Sequence, residues 1–403
     1  MIAGGVVAVA LALCAVFALA GPNLHKAMRG AEAPASSTQQ QGTQSAQGAA
    51  SAAPASSAAE PSTITLLGAG DNMQHSPMIT ACQTEDGYDF KPLYTQIKPV
   101  VSAADIAFVN QEAPIDPGAE PEGYPAFNAA PEMGDALADA GFDVISESNN
   151  HMLDQGADGL QATIDYWKGK SGITQVGAYE NDEDMRKPRI VEKNGFRVAY
   201  LAMTEMTNGL SLPEDSKLRI LYTSETDTIQ QLIQDAKKQA DLVVVSVHWG
   251  TEDTFDLTDE QTGLAQNMVN WGADVIFGNH PHALQKLTTL KRAGDGAACP
   301  VIYAFGNLIS TQYDPWNLVS GLLTVTYQKD AGGKPVFQGM QFKPVVTYYE
   351  GGAKNIHVQW LKDFTDEMAQ QSLTWDKTGG EFTPEYARSV VDQSIPKEYQ
   401  DWT

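Results

Sequence analysis

Short apolar runs and polar clusters alternate along most of this chain, and the clusters follow the runs. Thr63–Leu67 opens with a β-rich run and is followed by Gly68-Ala69-Gly70-Asp71. Asp105–Val109 runs into Asn110-Gln111-Glu112, and Phe142–Ile145 leads to Ser148-Asn149-Asn150-His151. Leu242–Val247 ends in His248-Trp249-Gly250, Asp274–Phe277 in Gly278-Asn279-His280-Pro281-His282, and Pro300–Phe305 in Gly306-Asn307. Each run is short enough for a strand. Helices are predicted between them at Pro131–Ala140, closed by Gly141, at about Asp154–Trp167 and at Thr226–Ala240. A fourth runs from a Thr258/Gln261 capping box to Trp271. Arg189–Val191 and Arg197–Met203 flank Asn194-Gly195, a strong hairpin signal. Alternating strands and helices with polar strand ends predict an α/β fold whose site is built from loops along one edge.

Beyond Trp316 the pattern changes. Leu322–Tyr327 and Val336–Tyr349 read as longer antiparallel strands around Gly332-Gly333, with helical stretches near Leu361–Gln371 and Pro384–Gln393. This region, 316–403, is expected to be a C-terminal extension packed on the core, either structural or a lid over a substrate cleft. Residues 1–20 are almost wholly apolar and long enough for a membrane anchor or a signal peptide. The first cations, Lys26 and Arg29, follow that stretch, so a basic leader is expected upstream and export of the main domain is the expectation. Lipoprotein processing at Cys14 is disfavoured by bulky Leu13. Residues 21–62 are rich in Ala, Ser, Gln, Gly and Pro, bury too little to order, and are expected to form a flexible tether.

Composition narrows the partners. Lys and Arg total 26 against 50 Asp and Glu, which excludes a duplex-binding surface but not an anionic substrate held by local charge. In an oxidising compartment Cys82 and Cys299 could pair; the alternative is two separate buried thiols. Three of the seven histidines, His248, His280 and His282, stand at strand ends. With Asp71, His75, Asn110, Glu112, Asn150, His151 and Asn307 they make a mixed nitrogen and oxygen donor set suited to zinc, manganese or iron. Glu252, four residues after His248, either orders a ligand or is solvated. Tyr124, Phe127 and Asn128 lie in a Pro-flanked loop that either lines a cleft or packs on the domain.

Gly70-Asp71, Asn110-x-Glu112, Asn149-Asn150-His151 with Asp154-x-Gly156, His248-Trp249-Gly250-x-Glu252, Gly278-x-His280-Pro281-His282 with Gln285, and Gly306-Asn307 together resemble the CapA family. These are the poly-γ-glutamate capsule proteins, also called PgsA, and the resemblance spans Thr63–Thr311. It implies the calcineurin-like metallophosphatase fold, a two-sheet α/β/β/α sandwich over 63–315, and a centre of two divalent ions. By the same resemblance, Asp71 and His282 would hold the first metal, Glu112 would bridge, and Asn150, His248 and His280 would hold the second. His151, with Asp154, would protonate the leaving group, while Asn110, Asn149 and Asn307 would support the ligands. The superfamily's Asp-x-His is here Asp71-Asn72-Met73, and His75 would substitute if the segment coils into a helix. A centre of this kind can cleave a phosphoester or an amide. The implied activity is therefore metal-dependent hydrolysis or transfer on an anionic envelope polymer at the outer membrane face. The alternatives are a tethered accessory of a polymer synthase and export complex that performs no turnover, and a general surface phosphoesterase.

Overall fold

A computed structural model of the chain describes residues 62–403. The expected signal peptide or anchor, and the tether up to residue 61, lie outside the described residues. Among those described, no helix is long and apolar enough to cross a membrane.

Two sheets form the centre. Their strands are β1 (Thr63–Asn72), β2 (Ile106–Gln111), β3 (Val144–Ser146), β4 (Thr174–Val176), β5 (Arg189–Lys193), β6 (Phe196–Thr204) and β7 (Leu242–His248), followed by β8 (Val275–Asn279), β9 (Leu287–Lys291), β10 (Ala298–Ile302), β11 (Asn307–Ile309), β12 (Val319–Lys329), β13 (Pro335–Glu350) and β14 (Lys354–Trp360). The first sheet runs β14-β13-β12-β1-β2-β3-β4, with β11 also paired to β1. The second runs β9-β10-β8-β7-β6-β5. Within it β6, β7, β8 and β10 are parallel, and the hairpin at Asn194-Gly195 joins β5 to β6 as expected.

Side-chain alternation along β7 explains the layering. Leu242 and Val244 enter the core shared with Phe108 and Phe277, whereas Val243, Val245 and Val247 join the helices Thr226–Lys237 and Asp259–Trp271 on the other face. A strand buried on both faces reads as a continuous apolar run, which is how Leu-Val-Val-Val-Ser-Val appears in the sequence. The helix Pro131–Ala140 covers the first sheet through Met133, Ala136 and Leu137, and ends at Gly141 in the left-handed region. Helix, sheet, sheet and helix are the layers the resemblance implies. The Thr258/Gln261 capping box is also formed.

The C-terminal region departs from the expected appendage. β12 lies antiparallel along β1 over six residue pairs, and β13 and β14 extend the sheet from there. Residues past 316 therefore complete the first sheet, because β1 needs a hydrogen-bonding partner on the side away from β2. The cysteines also stay apart as free thiols, Cys82 in the inter-sheet core and Cys299 in the cluster under the second sheet's helices. Burial pushes the Cys82 thiol up to about 11 and raises Cys299 well above its ordinary value.

Candidate metal centre

Close packing of two glycines brings the strand ends together. A Cβ on Gly70 would sit 2.0 Å from the Gly306 carbonyl oxygen, and one on Gly278 would sit 1.9 Å from that of Tyr303. Glycine alone allows such approach. The Asp71 amide thus donates to Gly306 O at 3.1 Å, and Asp71 lies in register with Asn110 on one side and Asn307 on the other. In the second sheet His248 pairs with Asn279, and the turn after β8 brings His280 and His282 back toward β1. Both histidines have positive φ, 100° and 52°.

Two donor sets result, Asp71–Glu112–His282 and Glu112–His248–His280, all buried, with Glu112 common to both. Glu112 Oε1 lies 3.4 Å from His248 Nε2 and 3.7 Å from His282 Nε2. His248 Nε2 is also 2.9 Å from Asn150 Oδ1 and 3.1 Å from His280 Nδ1, so Asn150 adds a carboxamide oxygen to the second set. Neither Glu112 oxygen has a hydrogen-bond partner, although the residue is wholly buried. A buried carboxylate without a donor is costly unless a cation faces it. These residues fit a pair of divalent ions sharing Glu112.

The titration pattern agrees. Burial first, then Asp71, raises the Glu112 carboxyl well above its usual range. Burial, then His280, lowers His248 well below the usual imidazole value, and burial, then His282, lowers His280 to about 4. Neutral imidazoles are the form that binds metal. Burial would lower His282, but Asp71, then Glu252 and Asn307, outweigh it and move it upward.

Supporting contacts fix the ligands. Asn307 Nδ2 donates to Ser310 Oγ, Gln312 Oε1 and the Asn317 carbonyl, which turns its Oδ1 toward His282 Nδ1 at 2.9 Å. The Nδ1 proton of His282 is thereby committed, leaving Nε2 with its lone pair toward Glu112. Asn110 Nδ2 donates to Asp71 Oδ1 at 2.7 Å. Asn149 does not face the donor sets: it donates to Gln111 O and accepts from the His151 amide, so it shapes the loop.

His151 Nδ1 lies 2.8 Å from Asp154 Oδ2, and the same oxygen accepts the Phe127 amide. The predicted helix begins two residues later than expected, at Gly156, which leaves Asp154 in the preceding turn and facing His151. Phe127 is buried edge-on against the His151 ring, and Tyr124 stacks edge-on over Phe127 while remaining 71% exposed. The loop therefore does both things considered for it, packing through Phe127 and Asn128 and presenting Tyr124 outward.

One expectation is corrected. His75 is in neither donor set: the chain stays extended at His75 (φ −81°, ψ 158°), and the helix Ser76–Ala81 starts after it. Its ring packs edge-on to Phe127 and its Nδ1 faces the Thr311 amide at 3.4 Å. Glu252 is exposed and makes no side-chain hydrogen bond among the described residues, while its charge acts on Glu112 and His282. Met73 is buried in the apolar core. Asn208 went unnoticed in the sequence. It accepts from Asn150 Nδ2 at 3.3 Å and lies 3.4 Å from His151 Nδ1. Its loop lacks a strand-end motif; only the Asn208-Gly209 turn signal marked it.

The profile of the bacterial capsule synthesis protein family PGA_cap matches residues 65–312. The chain belongs to that family. A capsule biosynthesis protein, CapA, of Bacillus anthracis is 35% identical over 188 residues, covering 46% of this chain and 44% of that protein. A PGA biosynthesis protein CapA of Bacillus subtilis is 28% identical over 252 residues, 61% of this chain and 63% of that protein. The match thus spans about half to three-fifths of these relatives' lengths. A protein of Mycobacterium tuberculosis named a probable polyglutamine synthesis accessory protein is 22% identical over 67% of this chain and 74% of its own length. Among solved structures, the calcineurin-like phosphoesterase YfkN of Bacillus subtilis aligns over 82% of this chain and 100% of its own, at 14% identity and a TM-score of 0.42.

Proposed function

We propose that this CapA-family chain is a metal-dependent hydrolase or transferase acting on a γ-linked glutamate polymer at the outer face of the cell membrane, held there by its N-terminal stretch. The observation that carries the reading is Glu112, buried, unpartnered and shared by two donor sets, one of which includes Asn150, the neighbour of His151. Two divalent ions bound there would supply Lewis acidity and a nucleophile at neutral pH. Asp71, Glu112 and His282 would hold one ion, and Glu112, Asn150, His248 and His280 the other. His151, oriented by Asp154 through Nδ1, keeps Nε2 free to pass a proton to the leaving nitrogen of the γ-amide. Asn208 beside it and Phe127 against its ring limit the positions that imidazole can take.

One observation favours a second reading, a tethered accessory of a synthase and export complex. Burial of Met73 in the apolar core leaves the first donor set with only three side chains, and a weakly held first ion would suit binding without turnover. Elemental analysis of the purified chain, run beside polymer incubation, separates the two. The hydrolase reading expects two ions per chain and a shortened polymer. His151→Ala should then keep both ions while the rate falls by about 10²–10⁴-fold, the usual worth of a general acid. Intact polymer with a full metal complement would leave the accessory reading.

A further inference from the structure

His75 is held at both backbone and ring, yet one of its ring nitrogens has no partner. Its carbonyl accepts the Met78 and Ile79 amides at the start of the helix Ser76–Ala81. The Tyr124 loop lies against its backbone: a Cβ on Gly123 would sit 2.3 Å from Ser76 N and 3.1 Å from the His75 carbonyl carbon. The ring packs edge-on to Phe127 with centroids 5.2 Å apart, and Nδ1 faces the Thr311 amide at 3.4 Å. An amide N–H donates, so Nδ1 presents its lone pair and the neutral ring carries its proton on Nε2. That Nε2 makes no hydrogen bond among the described residues, and the residue is half-buried rather than sealed in the core. An oriented donor with nothing to receive its proton is a place for a ligand.

The same contacts set that donor beside the centre. Phe127 carries two imidazoles edge-on, His75 at 5.2 Å and His151 at 4.7 Å between centroids. On its other side His75 meets Thr311, the residue after Ser310, whose hydroxyl accepts from Asn307 Nδ2. Asn307 Oδ1 in turn faces His282 Nδ1 at 2.9 Å. His75 thus stands between the proton donor to the leaving group and the side chain that supports the first ion. Burial first, then His282 and His151, lowers it to about 4, so the ring is neutral at physiological pH. The stretches that supply the centre, 63–90, 99–167, 198–216, 239–285 and 293–328, contain no Lys or Arg. Besides the ions, they can meet charge growing on a substrate oxygen with N–H donors but with no permanent cation.

Resting on the hydrolase reading above, we infer that His75 is a catalytic residue that donates from Nε2 to the substrate oxygen gathering negative charge as the scissile bond is attacked. On a γ-amide, hydroxide adds to the carbonyl carbon and the C=O pair moves onto that oxygen, which His75 Nε2–H faces. Collapse restores the C=O bond and breaks C–N, and the departing nitrogen takes its proton from His151, leaving acid and amine. His75 gives up no proton in either step. A donor fixed in place before reaction needs no reorganisation when the charge appears, which is why such groups act on kcat. The tetrahedral oxygens of a phosphoryl group would meet the same N–H.

Two substitutions separate donation from support. In His75→Asn the carboxamide lies where Nδ1 was and can keep the Thr311 contact, but it stops short of Nε2. In His75→Gln the amide nitrogen reaches the Nε2 position and keeps the donor. The metal-loaded chains are titrated calorimetrically with inorganic phosphate, a tetrahedral oxyanion, and kcat and KM are measured on a γ-linked glutamate oligomer. Both variants should hold as much metal as the wild type. His75→Asn should bind phosphate about tenfold more weakly and lose about 10²-fold in kcat with KM little changed. His75→Gln should bind phosphate within about threefold of the wild type and recover most of kcat. His75→Asn equal to or better than His75→Gln in phosphate binding and kcat would make the residue a support and overturn the inference, while oligomer cleavage would leave the polymer reading standing. Loss of an ion from both variants would make it a ligand and overturn the inference too, as would a wild type that takes up no metal or no phosphate. An oligomer left uncut by the wild type, with the expected order in phosphate binding, would remove the polymer reading and support the role of His75.

Discussion

Glu112 carries more consequence than any other side chain in this structure. Its carboxyl is buried, raised by desolvation and then by Asp71, and has no hydrogen-bond donor. That shift, and the upward shift of His282 where Asp71 outweighs burial, both favour the protonated forms in the metal-free chain. Metal must displace any proton held there, because it binds the deprotonated ligands. Binding should release protons and strengthen as pH rises, and calorimetry in two buffers of different ionisation heat would show it. Glu112→Gln should abolish both ions, because each donor set loses its shared member, yet leave the metal-free fold at least as stable. His282→Ala should cost one ion, and His280→Ala the other; elemental analysis reads all three. Asn307→Leu tests support rather than ligation: freeing the His282 ring should weaken the first ion by about 10–100-fold. Most of these residues were legible in the sequence because they follow strands, and a motif at a strand end survives errors in the strand's length. His75 was not, since the reading hung on a local helix, and the chain is extended there with the helix starting only at Ser76. Asn208 was not, because it is brought in by a loop whose path only tertiary packing sets.

At the scale of elements, two glycine contacts do the positioning. Gly70→Ala forces a methyl to within 2.0 Å of a backbone oxygen that has no side-chain freedom to yield. The expected cost is about 1–3 kcal/mol, seen as a lower midpoint in urea unfolding, together with loss of the first ion as Asp71 moves. Strands buried on both faces, such as Leu242–His248, were readable as apolar runs. β14 and β9 were missed because both are partly exposed and carry polar residues among their apolar ones. The strand expected at Pro300–Phe305 ends at Ile302, since the Phe305 amide turns to Gly278 O instead of continuing the ladder.

For the whole molecule, the sandwich depends on its last 88 residues. The sequence placed a domain edge at 315 from a change in pattern, but pattern does not reveal which strand pairs with which. β12 is the partner of β1, the strand that ends in Asp71. A chain ending at residue 315 should therefore collect as insoluble protein, whereas residues 62–403 should give one cooperative unfolding transition; soluble expression and circular dichroism distinguish them. The C-terminal helix Pro384–Ser394 is tied to the segment after His282 as well, as Leu284 O accepts from Ser394 Oγ.

The left-handed backbone at His280 and His282 has a bearing on protein engineering. Each non-glycine residue held there stores about 1–3 kcal/mol that the surrounding packing must offset. Glycine at either position relaxes the backbone and removes a ligand in one step. Any selection for heat tolerance carried out in chelator would thus be drawn to these positions and would enrich chains that melt later and bind no metal. The same library screened with divalent ions present should retain both histidines.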